Sequence, residues 1–135
     1  MPPSHTKIMD ILTILREDYA RFPENQTYSI YAEDITFADP MMRVQGRKKY
    51  EDMIHFLATW FHNIRLELHG MEQQEQVIHT RWTMSWTAPL PWRPRVVVTG
   101  RSELTLNDQG QIKQQIDYWD CSRWDLFRQH LPWAT

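Results

Sequence analysis

The 135-residue chain has little of what marks several common classes of protein. Cys121 is its single cysteine, so no disulfide can form within the chain, and a reducing compartment is expected. No feature of the sequence would activate this thiol, and Cys121 is interpreted as a buried, inert side chain. With only four glycines, the chain has no glycine-rich phosphate loop, and nucleotide binding is not expected.

Long apolar runs and an excess of positive charge are also missing. No stretch approaches the ~18 apolar residues of a membrane helix. The first twenty residues include Asp10, Glu17 and Asp18, which argues against a signal peptide. The net charge of -2 gives no field to attract phosphates, and the basic cluster 47–49 is interpreted as a solvated helix start. We therefore expect a cytoplasmic protein without a membrane span or a nucleic-acid partner.

The common motifs of metal centres and nucleophilic enzymes are absent too. His55 and His62 lie seven positions apart on one predicted helix, so they cannot chelate as a pair one turn apart would. His69 and His79 fall on predicted strands. The sequence has no Cys-x-x-Cys, His-x-x-x-His or Gly-x-Ser-x-Gly pattern. We predict no metal and no cofactor.

Aromatic side chains are abundant, at 13% with seven tryptophans, and such residues fill cores and line ligand sites. Apolar residues recur every three or four positions over 6–22, which predicts an amphipathic helix stopped by Pro23. A short second helix is predicted over 25–32. A third is predicted from just after Gly46 to about Phe61.

The rest of the chain is predicted to be mostly sheet. A strand over 34–39 is closed by Pro40, and further strands are predicted over 64–74, 76–88, 95–107 and 111–120. The proline-rich connection 89–94 is stiff, and its Trp92 either packs on its own domain or binds a partner. Ser122 is a candidate cap for a terminal helix that runs to His130. Helices followed by strands indicate one α+β domain over 1–135.

Several segments, in the right order, resemble the ketosteroid isomerase and SnoaL-like branch of the nuclear transport factor 2-like superfamily. They are Tyr31–Pro40, Gly46-Arg47 with the helix after it, Leu104–Ile112 and Asp117–Asp120. The resemblance implies a cone in which a curved antiparallel sheet packs on N-terminal helices around a half-open pocket. The phrase Asn25–Asp34 is more closely similar to an uncharacterised family of cyanobacteria and plants, which implies no established activity.

The resemblance also implies roles for individual residues. Asp39, the aspartate before a proline, matches the general base of ketosteroid isomerases, and Trp119 matches a tryptophan of the last strand. Tyr19 is the candidate for the tyrosine that donates to the oxyanion. The second oxyanion donor falls on Ser102, and a serine hydroxyl cannot replace a neutral carboxylic acid in an apolar site.

Two interpretations stay open for the acidic residues. Asp39 and Asp117 could both point into one pocket, where burial and repulsion would separate their pKa values into an acid and a base. Alternatively, Asp39 completes a turn and Asp117 pairs with an arginine such as Arg101.

The aromatic residues of the sheet also have two interpretations. They either form an apolar wall for a hydrophobic ligand or pack as ordinary core. The residues concerned are Trp82, Met84, Trp86 and Trp119.

The last strand poses a conflict between periodicity and the resemblance. Periodicity alone turns Ile112, Ile116 and Tyr118 toward the core, whereas the resemblance turns Asp117 and Trp119 inward. In the second register the three apolar residues lie on the outer face of the sheet. An apolar outer face favours a homodimer through that face.

Three functions follow from these observations. We favour a non-catalytic domain whose tryptophan-lined pocket binds a hydrophobic small molecule, or which acts as an interaction module, because the second oxyanion donor is missing. The alternative is a cofactor-free isomerase, lyase or hydrolase with Asp39 as general base. The third is a homodimeric scaffold with a vestigial pocket.

Overall fold

The computed structural model describes residues 10–133 and shows a mixed α+β architecture, as predicted. Its helices are α1 (Ile11–Arg21), α2 (Arg47–Trp60) and α3 (Arg123–Arg128), with a 3-10 turn at Tyr28–Ile30. Its strands are β1 (Tyr31–Ala38), β2 (Arg43–Gln45), β3 (His62–Gln74), β4 (Val77–Thr87), β5 (Arg95–Leu106) and β6 (Ile112–Trp119).

The six strands form one sheet in the order β2-β1-β6-β5-β4-β3. All neighbouring pairs are antiparallel except β1 and β6, which run parallel. The sheet is thus mainly antiparallel, as predicted, with one parallel pair. The parallel pair brings the end of β1 beside the middle of β6, so that Ala38 pairs with Ile116.

Helix α1 begins at Ile11, and the predicted start at residues 6–9 lies outside the described residues. Asp18, which is 2% exposed, fastens the end of α1 to the loop that follows it. Its carboxylate accepts hydrogen bonds from Thr27 N at 2.9 Å, Thr27 Oγ1 at 2.9 Å and Arg21 Nη2 at 2.8 Å. The neighbouring Tyr19 is thereby held against the sheet.

The predicted helix over 25–32 is wrong, because only the 3-10 turn Tyr28–Ile30 forms there and β1 begins at Tyr31. Asn25 has a φ of 51°, which interrupts a right-handed helix. Ile35 and Phe37 gain burial in the sheet, and this tertiary packing outweighs the local helix preference. The three-residue strand β2 is too short for its pattern to be recognised.

The buried apolar residues form two clusters. The first is built mainly by α1, α2, β1, the far half of β4 and the β5–β6 hairpin, and includes Leu15, Ile30, Tyr31, Ile35, Phe37, Tyr50, Ile54, Ile78, Leu104, Leu106 and Ile112. The second lies on the other halves of β4 and β5 and includes Trp82, Trp86, Ala88, Val96 and Val98. Tyr19 packs against both clusters.

A β-bulge at the start of β6 resolves the conflict between its two registers. Leu106 pairs with Ile112 whereas Thr105 pairs with Gln114, so Lys113 is the extra residue. The expectation that Ile112 lies on the outer face is therefore wrong, since the bulge turns it into the core, where it is fully buried. Ile116 pairs with Glu103 and stays outside.

Helix α3 is held by a cap at its first turn and by hydrogen bonds of the residues just after its last turn. Ser122 caps it through a capping box with Asp125, as predicted for the cap. Trp92 Nε1 donates to His130 O at 2.8 Å, so the proline-rich loop packs on its own chain. The Gln129 side chain accepts from Val97 N at 2.8 Å and donates to Val97 O at 2.9 Å, beyond the part of β5 that β6 covers.

Within residues 10–133, no helix is both long enough and apolar enough to cross a membrane.

Candidate functional site

A cavity of about 80 Å³ lies between the two core clusters. It is lined by Tyr19, Phe22, Gln26, Tyr31, Tyr50, Leu66, Trp82, Met84, Ser102, Gln115 and Asp117. Because an engineered cavity of roughly 150 Å³ holds the six carbons of benzene, this volume suits about three or four non-hydrogen atoms. The cavity is partly open, so a longer ligand can extend from it.

Asp117 is the acidic residue of this lining. It faces Ser102 across the β5–β6 pair, and its Oδ1 accepts from Ser102 Oγ at 2.6 Å and from Gln115 Nε2 at 3.1 Å. Among the described residues, none hydrogen-bonds to Oδ2, and that oxygen is not sealed from solvent. The carboxylate therefore offers one free acceptor on the cavity side.

The direction of the Ser102 hydroxyl is fixed by Trp82. The indole Nε1 of Trp82 donates to Ser102 Oγ at 2.8 Å, and an indole nitrogen can only donate. The proton of Ser102 is then free to point at Asp117. Both supporting side chains are buried, so this arrangement is held by the surrounding core.

A second chain of hydrogen bonds reaches Asp117 from the helices. Tyr50 Oη lies 3.2 Å from Gln115 Oε1 and 3.3 Å from Tyr31 Oη. An amide oxygen can only accept, so Tyr50 donates to Gln115, and the same Tyr50 hydroxyl is the donor toward Tyr31 Oη. The amide NH₂ of Gln115 then faces Asp117. The two hydrogen bonds from Tyr50 to Gln115 and from Gln115 to Asp117 therefore both point toward the carboxylate.

Burial raises the pKa of Asp117 from 3.8 to about 6. The hydrogen bonds from Ser102 and Gln115 act in the opposite sense and favour the carboxylate, whereas the negative charge of Asp39 adds to the increase. Most of the Asp117 side chain is enclosed by protein, with the remainder open to the cavity. Both protonation states are accessible near neutral pH.

Among residues 10–133, no lysine, arginine or histidine lines the cavity. The alternative that Asp117 pairs with Arg101 is wrong, because Arg101 lies on the outer face. There its guanidinium sits 3.5 Å from Glu103 Oε2 and 4.0 Å from the centre of the Tyr118 ring. Asp117 has no counter-ion among the described residues.

Tyr19 brings a phenol from α1 to the same cavity. Its Oη lies 3.0 Å from Thr80 Oγ1, and burial raises the pKa of Tyr19 well above its usual value. The side chain is therefore a neutral phenol that can donate a hydrogen bond. The preceding residue, Asp18, is hydrogen-bonded to Thr27, and these bonds fix the position of Tyr19.

Asp39, the predicted general base, lies outside the cavity lining. Its Oδ1 accepts from Met41 N at 2.8 Å and Met42 N at 2.9 Å, and its own backbone N–H donates to Met42 O at 3.0 Å. These contacts are those of a turn at the end of β1, which was the alternative interpretation. The carboxylate of the cavity is that of Asp117.

The remaining predicted residues divide between cavity and core. Trp82, Met84 and Ser102 line the cavity. Trp86 instead stacks on Phe61 with ring centres 5.2 Å apart, and Trp119 packs against the second cluster. Their assignment to a ligand wall stays a prediction that this geometry does not favour.

Sequence reasoning missed Tyr31, Tyr50 and Gln115. Tyr50 falls on the apolar face of a predicted helix, where helical periodicity cannot separate a cavity wall from core. Gln115 was within reach of the sequence, because it lies two positions before Asp117 and shares its face of β6.

A larger hollow of about 320 Å³ lies on the outer face of the sheet around Gly70, His79, Arg81 and Arg101. Its two arginines are exposed, so water screens their charges. Its lining includes the buried Thr80 and Ser102, but the carboxylate and phenols that surround the inner cavity are not part of it. We therefore place the candidate site in the inner cavity.

Across the part of the chain that the structure describes, no three His, Cys, Asp or Glu side chains come together as a metal site.

The fold is similar to solved structures of the nuclear transport factor 2-like type. A hypothetical protein with a ketosteroid isomerase-like fold from Catenulispora acidiphila, in complex with trimethylamine, matches with a TM-score of 0.71 and 15% identity over 89% of this chain and 91% of its own. A SnoaL-like family protein from Agrobacterium tumefaciens matches with a TM-score of 0.62 and 21% identity over 82% and 97%.

The epoxide hydrolase/cyclase-like enzyme SalBIII, of pyran ring formation in the polyether salinomycin, has a TM-score of 0.68 and 18% identity over 88% of this chain and 94% of its own. At these identities the similarities concern the fold alone, and they confirm the predicted cone.

No curated protein sequence matches the chain. A family profile does match it over residues 9–115, which is well over half of its length. This agrees with the resemblance to an uncharacterised family that the segment Asn25–Asp34 carries. The chain belongs to the uncharacterized conserved protein family DUF2358.

Proposed function

We propose that this protein binds a small molecule in the cavity around Asp117. The observation that carries the proposal is a partly enclosed carboxylate with one oxygen free, supported by buried donors and facing a cavity. Buried polar groups normally have partners, because leaving them unpaired is costly. A bound molecule with a hydrogen-bond donor would supply the missing one.

The lining favours a ligand that is small and mostly apolar. Phe22, Leu66, Trp82 and Met84 give the cavity its apolar surface. The polar groups converge on one side, at Asp117. The similar structure from Catenulispora is a complex with trimethylamine, a molecule of this size. The cavity is thus smaller and more polar than the tryptophan-lined pocket expected from the sequence.

Native mass spectrometry of the protein purified from its own host tests this proposal. We expect a small organic molecule at one copy per chain, released by denaturation and identified in the extract. A Leu66→Trp variant, which fills the cavity, should lose the molecule, and the exposed-site control Arg65→Trp should keep it. Equal retention by both variants, or an empty wild-type protein, would contradict the proposal.

A second candidate function is cofactor-free acid–base catalysis, with Asp117 in place of Asp39. It is favoured by the pKa of about 6 at Asp117 and by the neutral phenol of Tyr19 in the same cavity. A base and a hydrogen-bond donor of this kind suit an isomerase or a lyase. Turnover of the molecule found by mass spectrometry, lost in Asp117→Asn and kept in Asp39→Asn, would establish it.

Homodimerisation through the outer sheet face stays a proposal. Ile116 and Tyr118 support it as half-buried side chains on that face. Most of their neighbours are polar, including Arg81, Arg101 and Glu103, so the apolar face expected from the sequence is limited. Such an interface would rely on charge and hydrogen bonding as well as on apolar contact.

A further inference from the structure

We infer that the ligand is a small organic cation of the alkylammonium class, with its charged nitrogen against Asp117 Oδ2 and its alkyl groups on the aromatic walls. This rests on the proposed function and adds the chemical class of the ligand. Three features of the cavity carry it: its charge, its aromatic lining and its volume.

The charge argument begins with the donors around Asp117. Ser102 and Gln115 both donate to Oδ1, an arrangement that stabilises the ionised carboxylate. Within the part of the chain that the structure describes, no cationic side chain lines the cavity to balance that charge. An enclosed charge is expensive unless it is paired, and a cationic ligand would pair it.

The aromatic lining favours a cation over a neutral apolar molecule. Five of the lining side chains are aromatic, namely Tyr19, Phe22, Tyr31, Tyr50 and Trp82. Aromatic rings attract organic cations, and recognition of alkylammonium groups by sets of aromatic side chains is the best-known use of this effect. Aliphatic Leu66 and Met84 complete the surface that alkyl groups would contact.

Other ligand classes fit less well. An anion would be repelled by Asp117, because none of the described lining residues carries positive charge. A neutral hydrocarbon would leave Oδ2 without a partner in a partly dehydrated site. With about 80 Å³ available, an ammonium ion carrying a few methyl or ethyl groups matches the space.

The groups that face Asp117 also predict how binding depends on pH. Tyr19 comes from α1, Tyr31 from β1 and Tyr50 from α2, and burial raises the pKa of each phenol, so all three stay neutral below pH 10. The charge of Asp39 acts from the end of β1. Asp117 is then the group that titrates, and affinity for a cation should rise through pH 6 and level off above it.

The experiment is a titration of the full chain with trimethylammonium chloride, with tert-butanol as the neutral molecule of the same shape. Binding is followed by the NMR signal of the Trp82 indole N–H, assigned by comparison with Trp82→Phe. We expect saturable binding of the cation, with tert-butanol at least about tenfold weaker. Asp117→Asn should weaken the cation by a similar factor, whereas Asp120→Asn, an exposed control at the end of β6, should not.

The outcomes separate this inference from the proposed function. If tert-butanol binds as tightly as the cation, or if Asp117→Asn binds the cation unchanged, the cation inference is overturned and small-molecule binding stands. If neither probe binds but the purified protein carries another stoichiometric molecule, the cation inference is again overturned and small-molecule binding again stands. If neither probe binds and the protein is empty, both proposals fall.

Discussion

Ser102 illustrates how a single hydroxyl can organise a site. It accepts from Trp82 and donates to Asp117, and it is 2% exposed. A hydroxyl with both roles filled orients its neighbours on both sides. The sequence placed Ser102 in the pocket through a resemblance, but its partners follow from the register of β4, β5 and β6, which no local pattern reveals.

Ser102→Ala removes this link, and we expect two results. The indole N–H of Trp82 is left unpartnered, which should lower the free energy of unfolding by about 1–3 kcal/mol. The pKa of Asp117 should rise further above 6, because a hydrogen bond to the carboxylate is lost. Urea unfolding and a carbon-13 NMR titration of Asp117 measure the two effects. The exposed-site control Ser29→Ala should change neither, and an unmoved Asp117 titration in Ser102→Ala would contradict the network.

Asp117 also predicts a pH dependence of stability. Its pKa is raised from 3.8 to about 6 in the folded protein, so between these values the folded state binds more protons than the unfolded state. Its contribution to stability is complete below about pH 4 and is lost as the pH rises to about 6, by roughly 3 kcal/mol at most.

Asp117→Asn cannot ionise at this position, so the variant should gain stability relative to wild type as the pH rises from 4 to 7. The comparison is the difference in unfolding free energy between the two proteins at each pH, which cancels the titration of other groups. A difference that is flat with pH would contradict the raised pKa.

At the scale of elements, the position of α1 depends on Asp18. Its two hydrogen bonds from Thr27 connect the end of the helix to the loop before β1, and a third comes from Arg21 on the same helix. We expect Asp18→Ala to lower the free energy of unfolding by about 3 kcal/mol, because the backbone and hydroxyl donors of Thr27 and the Arg21 guanidinium lose a buried, charged acceptor. The neighbouring Glu17→Ala, at an exposed position, is the control for loss of an acidic residue on the same helix. Similar denaturation midpoints for Asp18→Ala and Glu17→Ala would show that these hydrogen bonds are unimportant.

Local pattern was sufficient for the long elements and insufficient where tertiary contacts decide. Helix α2 and strands β3 to β6 lie close to their predicted positions because their apolar residues repeat regularly over many residues. The helix predicted over 25–32 is wrong because the end of this segment pairs with β6, about eighty positions away, and a local pattern carries no information on such a distant partner. The bulge at Lys113 likewise has no signal of its own, and it reverses the expected side of Ile112.

For the whole molecule, the resemblance predicted the cone, but it predicted only some of the residues that line the cavity. Tyr50 and Tyr31 come from α2 and β1, Trp82 from β4, and Gln115 and Asp117 from β6, so the cavity exists only when these elements are packed together. A cavity wall and a core position have the same hydrophobic pattern. The volume between them is a property of the assembled fold.

The homodimer prediction belongs to this scale. Arg81 and Arg101 stand directly opposite one another on neighbouring strands, and like charges in this position destabilise a sheet unless they are compensated. Glu103 compensates Arg101 in part, at 3.5 Å, and acidic groups of a second copy would compensate the remaining charge. We expect light scattering to give twice the mass of 16.4 kDa at micromolar concentration, and a doubly substituted outer face, Arg81→Glu with Arg101→Glu, to shift the protein toward monomer. A wild-type protein that is monomeric at all accessible concentrations would exclude the dimer.

The Gln129 side chain bonds both backbone groups of Val97, where β5 extends past β6. A primary amide offers a donor and an acceptor in the same spacing as a peptide group, so Gln129 occupies the place that one residue of a further strand would take. An uncovered strand edge invites pairing with another chain and growth into aggregates. Gln129, at the end of helix α3, therefore blocks pairing at this strand edge. Release of the Gln129 side chain would expose a starting point for intermolecular β-structure in an otherwise folded protein.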